Sequence, residues 1–230
     1  MITEFKSDRF IALLSQILKA NIPHDAYIWL NNDKNVRADA FDTAFASMPR
    51  KTGRRNLTLS ADQLNDLRVL RNGLSLNNWT ADRLGRVQLL MRFCLANDKD
   101  SLKIIESLFA TAEMNEQIAL YSAIPLLPIP KYWVKRCIEG IRSNLDPVLE
   151  AIMYGNPYPA ENLDESSWNQ MVLKAFFTSK RVDLIYGLKN RANPELVRML
   201  IDYAQERRAA GREIPHGLHE LIESFTDPKN

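Results

Sequence analysis

Apolar residues recur at three- and four-residue intervals along almost the whole chain. Phe10, Leu13, Leu14, Ile17 and Leu18, with Phe5 and Ile11 beside them, fall on one stripe of a helix that stops at Asn21-Ile22-Pro23. A short helix over Asp25 to Leu30 follows. The next runs from Val36 to Met48, with Phe41, Ala44, Phe45 and Met48 as its stripe, and ends in the loop Pro49 to Asn56. Ser60 and Gln63 form a capping-box pattern: the hydroxyl accepts the backbone N–H three residues on, and the glutamine side chain reaches back. Thr80 with Asp82 marks the start before Leu84, Val87, Leu90, Met91 and Leu95. Asp100 marks another before Leu102, Ile105, Leu108 and Phe109, and Asn115 opens a segment interrupted by Pro125 and Pro128.

The second half keeps this rhythm. Pro130 to Trp133 begins a helix with proline in its first turn and a stripe of Val134, Cys137, Ile138 and Ile141. Asp146-Pro147 starts another through Met153, which ends at Gly155-Asn156-Pro157-Tyr158-Pro159, where glycine takes the left-handed cap and the prolines prevent continuation. Asp164 caps Trp168 to Phe177. The clearest start is Asn193-Pro194-Glu195, which combines an Asn cap, a first-position proline and an acid at the positive dipole end of a helix reaching about Arg208.

Short connections and no alternating strand segments predict an all-α fold of antiparallel helix pairs. Stacking as a HEAT-like α-solenoid is the first expectation. An irregular helical bundle is the alternative, because the pairs keep no strict period. With no low-complexity linker or shift in composition, residues 1–230 read as a single helical domain. Thirty leucines against eight glycines agree with that class. The 30 basic and 28 acidic side chains leave a net charge of +2, which gives no general reason to expect nucleic acid or an anionic membrane as partner. Cys94 and Cys137 lie in apolar helical stretches and read as buried reduced thiols. No apolar run is long enough to span a bilayer and the start lacks the regions of a signal peptide, so the expected location is the cytoplasm.

Few positions suggest chemistry. The cations of Arg50 to Arg55 suit phosphates but read first as a solvated loop, since no aromatic stacking set accompanies them. His216 and His219 share a turn but lack a third strong ligand in register, so no metal and no cofactor is expected. The G-x-S-x-G, Walker, G-x-G-x-x-G, H-E-x-x-H and C-x-x-C signatures do not occur. Between Arg142 and Arg212, polar residues sit inside apolar context. Asn169 and Lys174 lie on a helix that is apolar nearly all round, so each needs a hydrogen-bond partner, either a neighbouring helix end or a polar pocket. Tyr158 either caps a core edge or points its hydroxyl into a cleft. Asn193 is a cap whose helix start, beside Arg191, also suits an anion.

The words Arg142-Ser143-Asn144, Ala151-Ile152, Asn156-Pro157-Tyr158-Pro159, Trp168 to Phe176, Gly187-Leu188 and Arg191 to Leu196 resemble the EboA-domain family in order and interval. Asp202 to Arg212 is also similar to it, with Arg208 at the place of the family's tryptophan. The likeness is concentrated in residues 142–212. It implies a bacterial protein of a secondary-metabolite pathway for synthesis or export, of the scytonemin type, whose partners are pathway enzymes encoded in the same cluster or a small metabolite. Asn156, Tyr158, Asn169, Lys174, Arg191, Asn193 and Glu195 become the candidate pocket or partner face. Two functions follow. One is a helical scaffold or metabolite-binding protein. The other is an enzyme acting on a small anionic or hydroxylated metabolite, with Lys174 as base or charge stabiliser, Arg191 and the Asn193 helix start holding an anion, and Tyr158 or Glu195 moving a proton.

Overall fold

A helix forms wherever the apolar stripe is uninterrupted and a cap is available, and the chain strings such helices together. The computed structural model describes residues 4–215 and 217–226. In order, the α-helices are α1 Glu4–Asn21, α2 His24–Leu30, α3 Phe41–Thr52, α4 Ala61–Leu70, α5 Ala81–Thr111, α6 Met114–Ala123, α7 Val134–Arg142, α8 Asp146–Met153, α9 Tyr158–Asn162, α10 Glu165–Phe177, α11 Pro194–Ala209 and α12 Leu218–Thr226. Among the described residues extended pairing is confined to the isolated bridges Asn56–Thr80 and Tyr154–Ile185, so the fold is all-α. None of these helices is long and apolar enough to cross a membrane.

Three of the predicted caps close as drawn, while Thr80 precedes α5 without a side-chain cap bond. Ser60 accepts from the Gln63 N–H and the Gln63 side chain returns to the Ser60 N–H. Asp164 takes the Ser167 N–H at 2.7 Å, and Asn193 takes that of Leu196 at 2.8 Å. Gly155 ends α8 with φ +51°, and a side chain there would also run into Ser75.

The helix expected from Val36 begins instead at Phe41, after a 3-10 turn over Asp33–Val36, and two further boundaries differ for a tertiary reason. Where a break was expected before Asp100, α5 continues for 31 residues. Asn97 turns its amide to the carbonyls of Phe93 and Val36, so it does not compete with the helix. Pro49 was expected to stop α3, yet the helix passes through it to Thr52. Proline removes the N–H that the Phe45 carbonyl would accept, and Arg86 Nε of α5 supplies the missing donor at 3.0 Å. The same substitution recurs at Pro125, where Asn156 Nδ2 takes the orphaned Tyr121 carbonyl at 3.4 Å. Arg50 and Lys51 therefore belong to the last turn of α3, while Arg54 approaches Asp82 at 3.9 Å.

α5 is the centre of the packing, with α1, α3 and α6 against it; α6 carries α8, and α8 carries α7. α4 lies on α1, and the chain closes with α10 on α11 and α11 on α12. The buried apolar side chains form one cluster from Phe10 to Leu218, with Phe93 of α5 stacked on Phe41 of α3 at 3.8 Å between ring centres. Close helix approach depends on Gly140 of α7, where a Cβ would collide with Ile152 and Tyr121. Inside this core Arg86 is ion-paired to Asp82 at 3.0 Å, and Thr80 donates to the other Asp82 oxygen at 2.6 Å. A buried pair bonded on this many sides is tolerated where a lone charge would not be. Cys94 and Cys137 are both free and buried.

Candidate functional site

A cleft of about 1060 Å³ opens where the end of α4, the middle of α5, the proline segment after α6 and the end of α9 meet. Its apolar side is built by Met91, Leu95 and Leu102 of α5 together with Leu126, Leu127 and Ile129. Val69, Leu95 and Ile129 stand on its rim as exposed apolar side chains, at 71%, 46% and 57% exposure. Apolar groups gathered round a concavity mark a binding surface more often than scattered ones do. Ile129 also has φ +51°, which is strained for a β-branched residue and more so between two prolines. Such strain tends to collect at ligand sites.

The polar side of the cleft is an ion pair. Arg71 grips Glu161 with two parallel bonds of 2.6 Å, and its Nε donates to the Pro125 carbonyl at 3.1 Å. The pair ties α4, the proline segment and α9 together, and its neutral edge still offers N–H donors and carboxylate lone pairs. Cys94, also in the wall, has its thiol pushed up to about 12 by burial, so it is a protonated, inert group at neutral pH.

None of the seven residues proposed from sequence lines this cleft. Asn156 is buried, its amide donating to Ala151 and Tyr121 carbonyls and its oxygen accepting the Tyr158 N–H at 2.9 Å. Tyr158 is buried and gives its hydroxyl to the Pro130 carbonyl; desolvation raises its pKa further above the usual phenol range. Lys174 donates to the Ser143 carbonyl at 2.7 Å, capping the end of α7, and desolvation lowers its pKa. Glu195 is exposed and paired with Arg198 on its own helix at 2.6 Å.

Asn169, Arg191 and Asn193 do come together. The two asparagine amides exchange hydrogen bonds at 3.0 and 2.9 Å, and Asn193 also donates to the Arg191 carbonyl. The Arg191 guanidinium lies 4.8 Å above the Trp168 ring and donates from Nη1 to the carbonyls of Pro159, Ala160 and Leu163. Desolvation lowers its pKa, opposed by Glu165 and Asp164. These bonds fix the end of α9, the helix that presents Glu161 to the cleft, while Tyr158 fixes Pro130, at the opposite wall. The motif residues thus hold the walls of the cleft from behind.

Sequence reasoning passed over Arg71, Glu161, Met91, Leu95 and Ile129. The one local signal was the run Pro125-Leu126-Leu127-Pro128-Ile129-Pro130, an apolar stretch that proline bars from extended helix. His219 is exposed on α12, while His216, its proposed neighbour, lies outside the described residues. Among the described residues no three His, Cys, Asp or Glu side chains gather in a group that could hold a metal.

A family model described as metabolite traffic protein EboA matches residues 10–223. No curated protein and no solved structure matches. Since the match runs from α1 into α12, well beyond the words of residues 142–212, the chain belongs to the EboA family.

Proposed function

We propose that this protein binds a small, partly apolar metabolite in the cleft and carries it unchanged within a secondary-metabolite pathway of the scytonemin type, receiving it from and passing it to pathway enzymes. The observation that carries this reading is the cleft itself: its volume suits a small-molecule site, one wall is apolar, and the other ends in the Arg71–Glu161 pair. The family description, metabolite traffic, accords with it. The enzyme alternative asks Tyr158, Asn169, Lys174, Arg191 and Glu195 to converge on one opening. Their polar atoms are instead engaged by separate backbone groups and helix partners, which favours carriage over catalysis.

The test is mass spectrometry of compounds retained by the protein purified from its native host, compared with Leu95→Trp. Leu95 is nearly half exposed, so the larger ring fills the cleft with little cost to the core. A compound held by the wild type and lost from the variant is the expected result. Identical retained sets from both proteins would overturn the proposal.

A further inference from the structure

Gln88 of α5 is fully buried, and neither its Oε1 nor its Nε2 has a hydrogen-bond partner among the described residues. The other buried polar side chains of this helix are bonded: Asp82 to Thr80 and Arg86, Arg86 to the Phe45 carbonyl, Ser101 to Cys94. A buried amide with no partner is costly, and native structures rarely keep one without a reason.

Its place on the helix supplies a reason. Residues 88, 91 and 95 follow at three and seven, so they share one face, and side chains three apart sit about 5–6 Å from each other at Cβ. Met91 and Leu95 line the cleft, so Gln88 stands one helical turn below its wall, on the face that carries Met91. An unbranched thioether with several rotatable bonds yields more readily than Leu or Ile would. The charged side chains nearest to Gln88 along the helix are directed elsewhere, Arg86 to the Phe45 carbonyl and Asp82, and Arg92 to the carbonyls of Leu30 and Asn31 and to Asp33. Its neighbours on the helix, Leu84, Val87, Leu89 and Leu90, are apolar and buried. An ion reaching Gln88 would be buried without a counter-charge, whereas an uncharged polar group would not.

We infer that Gln88 is the deep polar contact of the cleft, reached when Met91 swings aside, and that the ligand presents to it an uncharged group with adjacent donor and acceptor, as in a carboxamide or lactam. This rests on the carriage reading of the cleft. The Gln88 side chain offers one carbonyl acceptor and two N–H donors, so such a group meets it edge to edge.

The experiment uses the full chain, wild type and Gln88→Leu, with two probes of matching shape: benzamide and isopropylbenzene. Affinities come from ligand-observed NMR, and melting temperatures are taken without probe. Benzamide should bind the wild type about tenfold more tightly than the variant, equivalent to about 1.4 kcal/mol. Isopropylbenzene should move the other way. The unliganded variant should melt about 2–4 °C higher, because its buried orphan amide is gone. Equal benzamide affinity for both chains overturns the role of Gln88 while leaving the cleft as a binding site. Failure of both probes to bind the wild type overturns the cleft reading along with it. A lower melting temperature for Gln88→Leu means the amide is already satisfied in the free protein, which also defeats the inference.

Discussion

The two sides of α9 use polar residues in opposite ways. Behind it, in the block from 142 to 212, Asn169, Arg191 and Asn193 spend their hydrogen bonds on one another and on backbone carbonyls. In front of it, the cleft leaves apolar side chains in solvent and, one turn below its wall, a buried amide unpaired. The most recognisable words of the sequence are therefore those that hold the frame. The surface able to receive a ligand comes from stretches whose sequence is ordinary.

The largest effect that tests this contrast is expected at Asn193. Asn193→Ala removes the cap on α11 and also strips the fully buried Asn169 amide of its partner, a combined loss of about 2–4 kcal/mol in urea unfolding. The double variant Asn169→Leu with Asn193→Ala should recover part of it, since no amide is then left unpaired. A loss no larger than that of an ordinary exposed cap would mean the pair is not a structural unit.

Arg191→Ala comes next. It removes the donor shared by three carbonyls around the end of α9 and the cation above Trp168, for about 1.5–3 kcal/mol by the same measurement. Because α9 carries Glu161, retention of the cleft's compound should fall more than it does in Asn193→Ala. Equal retention in the two variants would separate the frame from the cleft. The smallest effect belongs to Glu195→Gln. Glu195 is exposed and bound only to Arg198, so melting temperature and retained compounds should both stay as in the wild type. A drop in retention there would return the site to the motif block.

Much of the fold was legible because its signals are local. Ser60 with Gln63, Asp164 and Asn193 each act on an N–H three residues away, and each cap formed where it was read. Pro49 and Asn97 misled for the complementary reason: what rescues them is Arg86, 41 residues from the Phe45 carbonyl, and Val36, 61 residues from Asn97. The candidate residues fared likewise. That Asn169 and Lys174 needed partners followed from their apolar helix, but which partners they would find did not, and both found helix ends.

By itself, then, the sequence determined the all-α class, most helix starts, the two buried thiols and the family to which the chain belongs, because periodicity, caps and ordered words are properties of short stretches. Tertiary structure decided where the cleft lies. Its walls come from Ser7, residues 69–72, Met91, Cys94, Leu95 and Leu102, residues 125–130 and residues 161–162, whose meeting depends on α5 being continuous and on Arg71 reaching Glu161 across 90 residues. Such contacts leave no periodic trace, since they arise from how helices pack and which carbonyls remain to be satisfied once they have done so.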